Sequence, residues 1–215
     1  MHRGTAETPP SPGTLRTMDA EQWDERYRET PALWGGPNRI LEPLLAELPP
    51  GRAVDLACGD GRHTAWLAER GWRAHGVDFS GAAVAQARSR AAKAVPEPPS
   101  AATYEIADVR AWEPTEPVDL VLVAYLHLPA AERSALLGRA LSWLTQSGRL
   151  VLLAHARENL EHGVGGPQEA SILPLVEDLA ADVHGARIHR LAHITRSTDM
   201  GNAVDVLLDA GRWPD

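Results

Sequence analysis

The chain has 215 residues, of which 44% are hydrophobic and 23% charged, ordinary values for one domain with a sizeable core. A formal charge of −8, with no run of Lys and Arg to offset it, argues against a broad phosphate-binding surface and so against nucleic acid as a partner. No apolar run approaches the roughly 20 residues of a membrane-spanning helix, the amino-terminal segment has no apolar signal region, and a single cysteine, Cys58, allows no intrachain disulfide. The expectation is a cytoplasmic protein with no membrane partner, a monomer or a homodimer, acting on a small-molecule substrate.

Residues 1–17 are rich in Pro, Thr, Gly and Ser and are expected to form a disordered tail. Met18 opens the folded domain, 18–215. Good helix formers dominate Asp19 to Glu29, and Ile40, Leu41, Leu44, Leu45 and Leu48 repeat at helical spacing over 38–48 before Pro49-Pro50-Gly51 stops the helix. Strand and helix then alternate. A short apolar strand, Ala53 to Ala57, runs into a glycine turn, followed by a helix from Arg62 to Arg70 with Trp66 and Leu67 inward. Arg73 to Val77 reads as a strand, Ser80 as the cap of a helix reaching Ala92, and AVPEPPS as a loop. Further strands are expected at Thr103–Ala107 and Asp119–Leu126, then an amphipathic helix over Pro129–Leu144 and a strand over Arg149–Ala154. A helix near Ile172–Ala181 precedes two strands, Ala186–Thr195 and Ala203–Leu208, joined closely enough for an antiparallel hairpin. The pattern is an α/β fold, a mostly parallel sheet covered by helices on both faces.

In such a sheet ligands bind beyond the carboxyl ends of the strands, where strand order reverses. The first strand-to-helix turn here is Ala57-Cys-Gly-Asp-Gly-Arg62. Gly59 and Gly61 lack a Cβ, so backbone amides can approach a ligand. Gly-x-Gly alone is a weak signal; its company strengthens it. Asp55 precedes the glycines, Asp78 ends the second strand where a carboxylate can accept both ribose hydroxyls, and Asp108 ends the third, within reach of an adenine amino group.

This constellation resembles class I S-adenosylmethionine-dependent methyltransferases. VDLACGDGRHT is similar to their first motif, Asp78 in GVDFS to their ribose-binding acid, and Asp108 in IADVR to their adenine-side acid. WDERY, LWGGPNR, YLHLP and LAHARENL followed by GVGGPQ resemble the tellurite-resistance and thiopurine-methyltransferase-like branch of small-molecule enzymes. Ala57 departs from the pattern, standing where many members have their first glycine. The resemblance implies a Rossmann-like seven-stranded sheet and S-adenosyl-L-methionine as cofactor. Cofactor contacts are expected from Trp23, Trp34, Asp55, Ala57, Cys58, Gly59, Gly61, Arg62, Asp78, Phe79, Ser80, Asp108, Val109, Ala124 and Leu126. Trp23, Tyr27 and Trp34 either anchor the amino-terminal helix or form a lid over the cofactor.

Methyl transfer by in-line displacement asks the protein mainly to align nucleophile, methyl carbon and leaving sulfur. A soft anion needs no base, whereas a phenol or amine benefits from one. His127, after the fourth strand, is the candidate catalytic base or substrate contact, and Arg39, Tyr125 and His155 are candidate substrate contacts. Each histidine has a bland alternative, a hydrogen bond to loop backbone. No third ligand has a spacing that suggests a metal site. Cys58 reads as a packing residue of the turn rather than a nucleophile, and Arg62 as a partner of a local carboxylate. An NAD-dependent oxidoreductase is disfavoured because Thr64 stands where the third glycine belongs, and no Tyr-x-x-x-Lys pair exists. A regulatory or non-methylating S-adenosylmethionine binder would carry the same motifs.

Overall fold

A computed structural model describes residues 19–29, 36–93 and 102–214. Its helices are α1 (Ala20–Glu29), α2 (Leu41–Ala46), α3 (Arg62–Glu69), α4 (Gly81–Lys93), α5 (Ala130–Ser142), α6 (Asn159–His162) and α7 (Val176–Asp182). The strands are β1 (Arg52–Leu56), β2 (Arg73–Asp78), β3 (Ala102–Ile106), β4 (Val118–Ala124), β5 (Leu144–His155), β6 (Arg187–Thr198) and β7 (Gly201–Gly211). They form one seven-stranded sheet in the order β3-β2-β1-β4-β5-β7-β6. The first five strands are parallel, and β7 runs antiparallel between β5 and β6. Strand order therefore reverses between β1 and β4, which opens a crevice at their carboxyl ends.

The period of two along each strand divides the core. Val54, Leu56, Val121, Val123, Leu150, Leu152, Val206 and Leu208 pack with α5 and α7. The intervening Ala53, Leu120, Leu122, Val151, Leu153 and Leu207 pack with Leu41, Leu45, Trp66 and Leu67 of α2 and α3. Asp55, His155 and Asp205 share the odd-numbered register of this second face. Buried Asp209, further along β7, lies on the same face, so ionisable groups interrupt a surface otherwise lined by Ala, Leu, Val and Trp.

Several boundaries differ from expectation for identifiable reasons. The predicted 38–48 helix is shortened to α2, because Asn38 closes a capping turn in which the Ile40 amide donates to Asn38 Oδ1 at 2.8 Å. The predicted Ile172–Ala181 helix is interrupted by Pro174, leaving a 3-10 turn at Ala170–Ile172 and then α7. Strand β5 begins at Leu144 rather than Arg149, since Leu144 pairs with Val118 before an irregularity restores the Leu120–Arg149 register. Strands β6 and β7 exceed the expected hairpin and meet at Thr198 and Gly201. The short α6 was not anticipated. The predicted tail, the AVPEPPS loop and Trp34 lie outside the described residues.

Candidate cofactor and acceptor site

The β1–α3 turn is held in unusual backbone conformations. Ala57, Gly59 and Gly61 have φ of 56°, 56° and 73°. At Gly61 a Cβ would lie 2.7 Å from Ala87 Cβ and 2.8 Å from Tyr104 Cε1, so this glycine lets α3 close against α4 and β3. At Gly59 a Cβ would strike the Tyr27 hydroxyl, which α1 lays directly over the turn. Ala57 adopts the same left-handed region without a glycine's freedom.

The acids around the turn differ sharply in their surroundings. Asp55 is 1% exposed; Thr64 donates to its Oδ2 at 2.7 Å, while its Oδ1 is buried without a partner. Burial pushes its carboxyl up to about 7 despite the Thr64 hydrogen bond and the nearby Arg62. Asp78 accepts the Gly59 amide on Oδ2 and the Ser80 amide on Oδ1, each at 2.9 Å, so it fixes the turn from the end of β2. It too is pushed up, mainly by burial. Asp108 is held by Arg110, whose Nη2 donates to Oδ2 at 2.7 Å, and that pairing keeps its carboxyl below the usual range. Asp60, inside the turn, pairs with Arg90.

Helix α1 is fastened over this region by its own polar residues. Asp24 Oδ1 accepts from Ser80 Oγ at 2.5 Å and from the Ala82 amide at 3.0 Å, and Gln86 donates to the Tyr27 carbonyl. Ser80 in turn caps α4 by accepting the Ala83 amide at 3.0 Å. Trp23 lies against Tyr27 with ring centroids 5.8 Å apart, and Arg26 sits over Trp23. Phe79 follows Asp78, half-buried, and Val109 is buried beside Asp108. Cys58 is buried, its thiol pushed up by burial and by neighbouring acids, which suits packing rather than nucleophilic chemistry. Arg62 is partly buried as the first residue of α3.

A second polar group gathers beyond β4, β5 and β7. Ala124 ends β4, Tyr125 has φ 60°, and Leu126 packs on the core. The Tyr125 hydroxyl donates to Asp205 Oδ2 at 2.9 Å and accepts from Asn38 Nδ2 at 3.1 Å. Arg196 Nε also donates to Asp205 Oδ2, at 2.8 Å, and His155 Nδ1 stands 3.1 Å from Asp205 Oδ1. His127 stacks on His155 at 5.5 Å and 14°, and its Nε2 accepts the His155 amide at 3.3 Å. Burial, then the neighbouring His155, holds His127 down at about 4. Its Nε2 lone pair is engaged by backbone. His63, buried beside the turn and held down at about 3 by burial, accepts the Asn38 amide at 3.2 Å. Arg39 is exposed, next to Asn38.

Sequence reasoning assembled Tyr125, His127 and His155 at this mouth but missed Asp205, Arg196, Asn38 and Asp24. Asp205 left one usable signal, a carboxylate inside the apolar run Ala203–Ala210. Asp24 and Asn38 stand in the WDERY and LWGGPNR segments, but their partners lie far away in sequence, so no local signal gave them a role. A separate cavity of about 130 Å³, lined by Trp72, Asp119 and Arg149, lies at the opposite, amino-terminal end of the strands. Among the described residues no group of three or more His, Cys, Asp or Glu is arranged to hold a metal ion.

Residues 53–148 match the family model described as a methyltransferase domain. A trans-aconitate 2-methyltransferase from Azoarcus sp. (strain BH72) is 36% identical over 120 residues, covering 53% of this chain and 44% of that enzyme. The chain thus matches less than half the length of this curated relative. Among solved structures, magnesium protoporphyrin IX methyltransferase from Synechocystis PCC 6803 with bound SAH superposes with a TM-score of 0.68 at 20% identity, covering 90% of this chain and 96% of that one. TehB from Haemophilus influenzae gives 0.69 at 14% identity, covering 90% and 67%. At these identities both structures speak for fold alone. The chain has the Rossmann-like fold of S-adenosylmethionine-dependent methyltransferases, and its segment 53–148 matches a methyltransferase domain.

Proposed function

We propose that the protein transfers a methyl group from S-adenosylmethionine to a small-molecule acceptor. The carrying observation is the glycine turn at the sheet's switch point, with the partnerless Asp55 Oδ1 buried beneath it. A buried carboxyl oxygen with no donor is costly unless a ligand or water completes it. A cationic cofactor suits that position, because its charge favours the ionised form of Asp55. When bound, S-adenosylmethionine supplies an electrophilic methyl carbon on a sulfonium. The chain's own work is to hold and align. Gly59 and Gly61 give close backbone approach, Asp78 and Asp108 mark the ribose and adenine sides, and α1 covers the turn through Tyr27 and Trp23. Trp34 belongs to the same proposed lid. Ala57, Cys58, Arg62, Phe79, Ser80, Val109, Ala124 and Leu126 complete the proposed cofactor contacts.

The acceptor then sits against Tyr125, His127, His155 and Arg39. The similarity to an enzyme named for trans-aconitate supports a small molecule, as does the acidic chain, which favours neither DNA nor RNA. The likeness to TehB supports the tellurite-resistance-like branch only at the level of fold. A cytoplasmic monomer or homodimer remains part of this reading; no helix among the described residues is long and apolar enough to cross a membrane. The test is incubation with methyl-labelled S-adenosylmethionine and a panel of thiols, chalcogen oxyanions, phenols, amines and carboxylates. Transfer to any acceptor, abolished by Asp78→Ala, is expected. Tight cofactor binding with transfer to none would favour a regulatory binder.

A further inference from the structure

The proposed cofactor contacts leave the buried cluster around Asp205 unused. His155 and Asp205 are register partners on neighbouring strands β5 and β7, so their side chains rise from the same face of the sheet. Asp205 is fully buried, and its Oδ2 is saturated by Tyr125 and Arg196. Its Oδ1 and the His155 Nδ1 are both buried and stand 3.1 Å apart, and neither has an aligned hydrogen-bond partner among the described residues. A proton on Nδ1, turned onto Asp205 Oδ1 by a small rotation of the ring, satisfies both atoms. That tautomer leaves His155 Nε2 as the free lone pair, on a side chain 13% exposed at the carboxyl end of β5.

We propose that Asp205 and His155 form a base dyad that deprotonates the methyl acceptor, which makes the acceptor a phenol-type O–H or a protonated nitrogen rather than a thiolate or other preformed anion. This rests on the methyltransferase reading and deepens it by naming the acceptor class. A preformed anion attacks without help, so a buried acid oriented onto an imidazole would serve no purpose there. His155 Nε2 takes the proton as the acceptor atom bonds to the methyl carbon, and the carbon–sulfur bonding pair departs with sulfur. The resulting imidazolium faces the Asp205 carboxylate.

The surrounding residues fit these roles. Burial pushes the Asp205 carboxyl up, but His155, Arg196 and Tyr125 outweigh it and hold the group below its ordinary value, hence ionised. The charged and titratable groups facing His155 are Asp205 from β7, Arg196 from β6, and Tyr125 and His127 from the segment after β4. The two histidines are not equivalent. His127 spends its Nε2 on the His155 amide and acts as a positioning residue for the second ring. Gly166 packs its backbone closely against the ring, since a Cβ there would lie 2.7–2.9 Å from Cδ2, Cγ and Nε2.

The test uses the full chain, labelled with ¹⁵N-histidine and saturated with S-adenosylhomocysteine. Nitrogen NMR is expected to show His155 protonated on Nδ1 and bare on Nε2, with the preference lost in Asp205→Asn. A wild-type His155 protonated on Nε2 overturns the dyad, as does a tautomer unchanged in Asp205→Asn. The wild-type spectrum decides even where that variant does not fold. In parallel, labelled cofactor is offered with a pool of phenols and N-heterocycles and with a pool of thiols. Transfer to the first pool is expected, falling about 100-fold in His155→Gln with loss of the acid limb of its pH profile. Transfer confined to thiols, or to neither pool, overturns the acceptor class. Failure of the chain to bind S-adenosylhomocysteine would instead remove the methyltransferase reading, while the His155 tautomer stays readable in the unliganded chain.

Discussion

Replacing Gly61 by alanine tests whether the turn is held by sterics in the way described. The new Cβ meets two costs. Its backbone has φ 73°, a left-handed conformation that costs an L-residue about 1–2 kcal/mol. It also arrives 2.7 Å from Ala87 Cβ and 2.8 Å from Tyr104 Cε1, both well inside ordinary contact. Relieving such overpacking by side-chain and backbone shifts costs typically about 1–3 kcal/mol. Against this, alanine restricts the unfolded chain and returns about 0.4–1 kcal/mol. The net expectation is a loss of about 1–5 kcal/mol, which for a chain of this size lowers Tm by about 2–20 °C. Gly138→Ala provides the internal control. It lies on the open face of α5 with nothing within 4 Å of the new Cβ, and it is expected to raise stability by about 0.5–1 kcal/mol. Thermal and urea denaturation of both variants give the comparison. A Gly61→Ala protein within about 2 °C of wild type would refute the steric account of the turn.

Ala57→Gly is expected to move the other way, relieving left-handed strain at φ 56° and changing stability by about 0 to +1 kcal/mol by urea denaturation. A loss above about 1 kcal/mol would contradict it. Asp24→Ala removes the acceptor of the Ser80 hydroxyl and the Ala82 amide. Hydrogen exchange over 20–29 should accelerate at least tenfold while the β1 and β4 amides are unchanged. His63 and His127 are held near 3 and near 4, below the unfolded value of about 6.5, so the unfolded chain binds more protons in that window. Their stabilisation is complete above about pH 6.5 and is lost as pH falls through about 4 for His127 and about 3 for His63, so His63→Gln should flatten the acid side of the stability curve. Asp55, pushed up to about 7, has the opposite sign. Its contribution is complete below about pH 4 and lost as pH rises through 7, so Asp55→Asn should flatten that slope instead.

The parallel half of the sheet was legible because local signals agreed with the tertiary structure. Apolar runs ended at Gly59-Asp60-Gly61, Ser80 did cap a helix, and Pro49-Pro50 stopped α2. What the sequence hid was set by distant partners. Leu144 has helical spacing with Leu137 and Leu141, yet pairing with Val118 draws it into β5. Strand β6 has one solvated edge, so Arg187, His189 and Arg190 dilute its apolar alternation and obscured its length. At the site, motif spacing located Asp55, Asp78 and Asp108, but spacing says nothing of how each is solvated. Asp55 and Asp108 both read simply as acids at strand ends in the sequence. Arg110 neutralises Asp108, while Asp55 is buried with Thr64 on Oδ2 and no partner on Oδ1. Likewise sequence position favoured His127 over His155 as the base, and only the fold brought Asp205, about 50 residues beyond His155, into contact with His155 instead.

The most direct measurement is calorimetric titration of the full chain with S-adenosylmethionine and, separately, with NADH. One saturable site for S-adenosylmethionine is predicted, weakened at least tenfold by Asp78→Asn, with no saturable heat from NADH. Saturable NADH binding with none for S-adenosylmethionine would contradict the reading of the glycine turn and everything built on it.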